Sequence, residues 1–406
     1  LNLDQAREHL PQSILCKQDR VPKDRRPRLL SSQGYAPSLE TSFSGITYHL
    51  ALAGLATGHI EGCFSLFSGE KPLRALKVRG ALWKAARLLR GQKTKGFKFT
   101  SAYLDEVWPR YIESLAGSTL ISNFQLYGRE FFKRRKGLGI GAHFYIDGTL
   151  AEYFESYAEF EVSDIDPSTR RLAIELEQEG YDSADGVVAF SRLTAQTLRD
   201  RYRLPASKVS VVLPGANLPD EVLDAIQIEP AASDSEDFVL GFVGLYPLRK
   251  GLDRLAKAVQ ILRSRGLPIR LRVIGKCPDE LRDMDGLDYL GVINKRTNLE
   301  DFVKAIGSVH LGCLVSRSEL AGIAIVEFLR LGVPVLGTRV GGATDILSGG
   351  GSVLVEPEIE AEELAEVIAR LHTDRSGYAV LKGEAEGRRE WASWKRVAGE
   401  LDGILP

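Results

Sequence analysis

Apolar runs of six or seven residues alternate with longer amphipathic stretches through the second half of this chain, and few architectures accept that order. "FVLGFVG" is followed by "LDRLAKAVQILRSRG", in which Leu255, Val259 and Leu262 share one helical face. Then come "IRLRVIG", "LDYLGVI", the helical "LEDFVKAIGSV", "HLGCLVS", "VPVLGT", "GSVLVEP" and the amphipathic "IEAEELAEVIARLHT". Strands alternating with helices predict a parallel, doubly wound α/β sheet covered on both faces. Such sheets bind ligands beyond the carboxyl ends of their strands. The loops "GLYPLRKG", "IGKCPDE", "GVINKRT", "SRSELAGI" and "RVGGATD" should therefore share one edge.

The first half is less regular. "PRLLSSQGYAP" is read as holding a short first strand, "GSTLISN" and "IGAHFYIDGTL" read as short strands followed by loops, and "GVVAFS", a helix from about Leu193 to Tyr202, and "VSVVLPG" form a βαβ unit. "SLETSFSGITYHLALAGLATGH" reads as a polar loop feeding a helix, whose free N–H groups and positive dipole end would face that loop. At 406 residues the chain exceeds one ordinary core, so two domains are expected. We read 1–26 as a polar tail or linker, 27–218 as the N-terminal domain and 219–237 as an acidic, Ala- and Ser-rich linker. The C-terminal domain is read as 238–390, and 391–406 as a helix returning to the N-terminal domain.

Net charge is −1, which gives no case for nucleic-acid binding. The four cysteines form no CxxC pair, arguing against a zinc site or disulfide framework and for a reducing compartment. No apolar run approaches the ~18 residues of a membrane span, and no signal-like pattern opens the chain, so a cytoplasmic location is expected. The charge is uneven: 51–150 carries an excess of roughly nine cations, and 151–200 is acidic by about as many. Two basic segments, "LWKAARLLRGQKTKGFKF" and "FFKRRKG", read either as solvated faces or as peripheral membrane contacts on anionic lipid or an anionic acceptor.

Within "SRSELAGIAIVEFLRLGVPVLGTRVGG", Glu319 and Glu327 stand eight positions apart. Glu319 belongs to a crevice loop, whereas Glu327 sits in an apolar run, where an ionised carboxylate is costly without a partner. Structural partners would be Arg330 or Arg339. A ligand partner would be a sugar or ribose diol, since a carboxylate accepts two hydroxyl hydrogen bonds at once. Gly322, opening the helix, permits close approach of backbone to a ligand. Lys250, opening the helix after the first strand of this half, could supply the cation that a diphosphate needs. A glycine pair such as that of "RVGG" is either a second anion contact or a plain turn.

These residues resemble the retaining glycosyltransferases of family 4, which have the GT-B fold: two Rossmann-like, doubly wound parallel-sheet domains facing across a cleft. Glu319 and Glu327 match the family's E-x7-E signature, with "SRSELAGI" before it and "GVPVLGTRVGG" after it. "FVGLYPLRKGLDRL" looks like its C-domain phosphate loop, "KVSVVLPGANL" like its interdomain segment, and "FSGITYHLALAGLATGH" like the helix after its glycine-rich loop. The resemblance implies that Glu327 holds the donor's ribose, that Glu319 contacts the hexose, and that Lys250 binds the diphosphate. It further implies backbone donors at Gly322 and Ile323, a base lying against Val292 and Ile293 beside Gly275, and Gly45 approaching the phosphates.

Three positions depart from the family pattern. Leu245 stands where an arginine is usual, so Arg249 is expected to reach in instead. Ala321 replaces a common aromatic. No counterpart of the family's N-domain histidine is evident; Asp147 is taken as the acceptor- or sugar-side contact and His143 as a core histidine. The expected activity is retaining hexosyl transfer from a nucleotide diphosphate sugar, UDP- or GDP-linked in preference to ADP-linked. No cofactor is expected, and no acidic loop pair calls for a metal. The acceptor (glycan, lipid-linked sugar, protein or small molecule) is not legible. Alternatives on the same scaffold are a nucleotide-sugar epimerase, a phosphorylase or a non-catalytic partner subunit.

Overall fold

Short, mostly apolar runs build two separate six-stranded sheets, every strand pair parallel. The structure is a computed structural model describing residues 26–32, 45–65, 74–107, 112–124, 126–158, 160, 162–223, 225–229 and 237–405. The polar tail apart from Arg26, the loop ahead of Gly45 and part of the expected linker lie outside the described residues. The chain divides into two units, one of residues 1–213 with 397–406, the other of residues 214–396.

In the first unit the strands are β1 (Arg28–Ser32), β2 (Gly62–Ser65), β3 (Thr119–Ser122), β4 (Gly141–Ile146), β5 (Gly186–Ala189) and β6 (Val209–Val211), in the order β2-β1-β3-β4-β5-β6. Chain order reverses between β1 and β3, so that gap is this sheet's switch point. Leu120, Phe144, Tyr127, Phe131 and Tyr181 lie at the centre of its core. The end of the chain belongs to this unit: Arg28 donates from Nη2 to the Leu405 carbonyl at 2.7 Å and pairs with Asp402.

The second unit has β7 (Phe238–Gly244), β8 (Ile269–Gly275), β9 (Leu287–Gly291), β10 (Leu311–Leu314), β11 (Val335–Thr338) and β12 (Ser352–Val355). Their order, β9-β8-β7-β10-β11-β12, is the Rossmann order 3-2-1-4-5-6. The switch point therefore falls between β7 and β10, and the loops after those two strands flank it. Leu255, Val259 and Leu262 of helix Leu252–Ser264 pack against Leu240, Phe242 and Leu271 in one core. Helix Ile323–Arg330 lies close over β10: a Cβ at Gly312 would stand 2.5 Å from the Phe328 ring. That glycine sets the depth at which the Glu327 helix sits.

Candidate active site

Lys250 and Glu319 meet at the switch point of the second unit, Nζ to Oε2 at 2.8 Å, although 69 residues separate them. Each follows one of the flanking strands, so sheet topology rather than local sequence brings them together. Gly244 ends β7 and leaves room for the lysine's stem; a Cβ there would lie 2.4 Å from Lys250 Cδ. The two loops are laced together. The Arg317 amide donates to the Arg249 carbonyl at 2.7 Å, and Arg317 Nη1 donates to the Leu248 carbonyl at 2.6 Å. Arg317 is anchored in turn by Asp253, at 2.8 and 2.7 Å.

Arg249 turns inward. Its Nη1 donates to the Ser318 carbonyl at 2.8 Å and lies 3.5 Å from Glu319 Oε2, with the guanidinium 5.2 Å from the Tyr246 ring centre. Leu245, at the position where the resemblance leads one to look for an arginine, is half-exposed. Glu319 is only 8% exposed. Burial pushes its carboxyl up, but the Lys250 ammonium and the Arg249 guanidinium more than offset this and hold it below the usual carboxylate range. The carboxylate is thus ionised beside two cations. Behind it Ser316 is buried, its carbonyl accepting from Thr338 Oγ1 at 2.6 Å, while its own hydroxyl finds no partner among the described residues.

Gly251 closes the lysine loop at φ 77°, a left-handed conformation, and a Cβ there would stand 2.1 Å from the Val315 carbonyl oxygen. Gly251→Ala is therefore expected to destabilise the protein by about 3 kcal/mol, through backbone strain and a clash with an immovable carbonyl. Chemical denaturation checks it, and an unchanged midpoint would mean the loop can move away from β10.

Glu327, 3% exposed, is paired with Lys295, whose ammonium also lies 4.2 Å from the Phe302 ring centre. Neither expected arginine partner is used: Arg330 pairs with Asp220 and Glu390, each at 2.9 Å, and Arg339 with Glu356 at 3.1 Å. Lys295 comes from "GVINKRT", a loop placed on this edge by the sequence, and that location was the available signal. Its Nζ meets Oε1, leaving Oε2 with no donor among the described residues. Gly322 caps helix Ile323–Arg330 at φ 72°, with Ile323 as the first helical residue. The "RVGG" loop packs on the glutamate's backbone, since a Cβ at Gly341 would stand 1.7 Å from the Glu319 carbonyl oxygen. Gly275 ends β8 against Gly244, and Val292 is exposed in the loop after β9.

Gly45 and Asp147 belong to the first unit. Gly45, at φ 88°, caps helix Ile46–Thr57. Asp147 follows β4, one strand removed from the β1–β3 switch point, and its carbonyl accepts from Thr194 Oγ1 at 3.4 Å. The next helix, Leu150–Ser156, starts on a Thr149–Glu152 capping box, and the Leu150 amide donates to buried Glu177 at 2.8 Å. Within β4, burial pushes the His143 imidazole down to about 4, so it is neutral.

Residues 237–374 match the family described as Glycosyl transferases group 1. D-inositol 3-phosphate glycosyltransferase of Rhodococcus erythropolis is 27% identical over 261 residues, 59% of this chain and 56% of that protein. The capsular polysaccharide biosynthesis glycosyltransferase CapM of Staphylococcus aureus is 27% identical over 147 residues, 35% of this chain and 38% of the relative. The chain thus spans about half, or less, of the length of these curated relatives. Among solved structures, sucrose-phosphate synthase from Thermosynechococcus elongatus superposes with a TM-score of 0.66 at 17% identity, over 94% of this chain and 98% of the other. HepE of Anabaena, solved with UDP and glucose, gives 0.61 at 15% identity over 94% and 99%. At such identities the structural likeness speaks for the fold, and the sequence match over the second unit speaks for the family. Residues 237–374 are thus similar to the group 1 glycosyltransferases, and the chain shares the GT-B type of fold with these solved structures.

Proposed function

We propose that the protein transfers a hexosyl group from a nucleotide diphosphate sugar to an acceptor hydroxyl, with retention at the anomeric carbon. The observation carrying this reading is the Lys250–Glu319–Arg249 cluster, where two cations face one carboxylate at the β7–β10 switch point. Its surplus positive charge suits a diphosphate, the group that must depart with the bonding electron pair. Lys250 and the amides opening helix Ile323–Arg330 would stabilise that charge as it develops. Glu319, held ionised, would position both cations and accept a hexose hydroxyl. Glu327 Oε2 would take the ribose hydroxyls, and backbone near Val292 and Ile293 would meet a uracil or guanine base. The new bond forms on the face the diphosphate leaves, and the acceptor's proton passes to that diphosphate. Relatives carrying inositol phosphate and capsular polysaccharide names support a glycosyl acceptor without choosing one.

A thermal-shift panel of UDP, GDP and ADP tests the donor side. UDP or GDP at a hundred times its Kd should add about 2.7 kcal/mol of stability. Glu327→Ala should weaken that nucleotide roughly tenfold to a hundredfold by removing a charged hydrogen-bond acceptor. Undiminished binding in the variant would remove Glu327 from the ribose site. Half-exposed Leu245 favours a second reading, a partner subunit that keeps the fold without turnover; absence of a shift with any nucleotide would select it.

A further inference from the structure

Helix Arg74–Leu89 is apolar on two opposite faces. Leu76, Gly80 and Trp83 form the inward one, packed against Phe97, with the Trp83 and Phe97 ring centres 5.7 Å apart. Val78, Leu82, Ala85 and Leu89 recur at i, i+4, i+7 and i+11, on the side turned to solvent. Val78 is 59% exposed, Leu82 66%, Leu88 68% and Leu89 90%. Scattered single leucines on a surface need no explanation, but a contiguous stripe along one helix marks an interaction site. On the helical wheel Lys77 and Lys84 flank the stripe on one side, Arg79 and Arg90 on the other. Residues 74–98 hold nine lysines and arginines and no acidic residue. Lys77, Lys84 and Arg90 make no ion pair among the described residues.

The second basic segment behaves differently. In helix Arg129–Arg135, Phe131 is buried and stacked on Tyr127 with ring centres 4.4 Å apart. Its cations are neutralised nearby: Lys133 by Glu130, Arg134 by Glu113 and Arg135 by Asp185. Aromatic residues facing inward and cations already paired leave nothing to offer a surface. The two segments look alike in sequence, and folding separates them.

We infer that helix Arg74–Leu89 lies in the interface of an anionic lipid surface, with Val78, Leu82 and Leu89 among the acyl chains and the flanking lysines and arginines on the headgroups. An apolar stripe between cationic flanks is the pattern of an interfacial helix, and long basic side chains can reach headgroups while their stems stay in the apolar layer. A protein partner of ordinary composition would satisfy the leucines but leave Lys77, Lys84 and Arg90 without counter-charges.

Flotation of the full chain with vesicles tests this. Vesicles of phosphatidylcholine containing phosphatidylglycerol should bind at least about tenfold more protein than phosphatidylcholine alone, each cation contributing on the order of fivefold. Leu82→Glu with Leu89→Glu, and separately Lys77→Glu with Lys84→Glu, should each cut binding about tenfold or more, with melting temperatures unchanged because these side chains face solvent. Equal binding to both vesicle types would overturn the inference. So would leucine variants that bind like the parent, which would reduce the effect to surface charge. Sedimentation of the parent as a dimer that Leu82→Glu with Leu89→Glu makes monomeric would assign the stripe to a second copy instead.

Discussion

Lys250→Met is expected to lower turnover by a factor of roughly 10²–10³, the usual loss when one donor to a developing oxyanion is removed. Methionine keeps the apolar stem that packs over Gly244 and deletes the charge alone. Glu319 would lose its 2.8 Å partner but keep Arg249 at 3.5 Å, so a buried carboxylate is not stranded. Stability should accordingly fall by only about 1–3 kcal/mol. The measurement is kcat at saturating donor, alongside calorimetric binding of the nucleotide diphosphate. Equal kcat in parent and variant would place the departing phosphates elsewhere. A loss confined to KM would show that Lys250 holds the donor without favouring its departure.

Stability should also fall as pH rises from about 4.5 to about 8, and the cause lies in the first unit. Glu177 is fully buried, its Oε1 accepting from the Tyr181 hydroxyl and the Leu150 amide, each at 2.8 Å, while the Tyr202 hydroxyl meets Oε2. Burial pushes its carboxyl up to about 8; the three donors favour the charged form but do not overcome the loss of water. The folded protein therefore holds a proton that the unfolded chain releases above about 4.5. Its contribution is fully present below that pH and lost as pH climbs through 8, at about 1.4 kcal/mol per unit, up to about 5 kcal/mol in all. Glu177→Gln keeps the size and most of the hydrogen bonds but cannot ionise. The variant's advantage over the parent should be small at pH 5 and largest near pH 8. Parallel stability curves for the two proteins between those values would show that Glu177 is charged at pH 5 in the fold.

The parts of the fold that a reader of the sequence could place are those written in local periodicity. Six strands of the second unit and five of the first stand out as short apolar runs, and Leu255, Val259 and Leu262 announce a helix face. β2, "GCFS", does not: four residues with a glycine and a serine carry too little pattern, and it forms only because β1 offers an open edge. The candidate site residues followed the same division. Glu319, Glu327 and Lys250 were legible because their spacing is tied to strand ends and a helix start. Their partners were not, since Lys295 lies 32 residues from Glu327 and reaches it through a loop whose path packing decides. The inward turn of Arg249 was expected, but its seat on the Ser318 carbonyl and the lacing by Arg317 are equally products of two loops meeting.

By itself, then, the sequence determined a parallel, doubly wound sheet with the candidate residues gathered at one edge, because short apolar runs alternating with helical periodicity leave a chain few other ways to bury its surface. The tertiary structure alone decided which charges pair, and which of two similar basic segments turns its apolar residues to solvent. Those outcomes depend on distances between residues far apart in the chain, which no local pattern encodes.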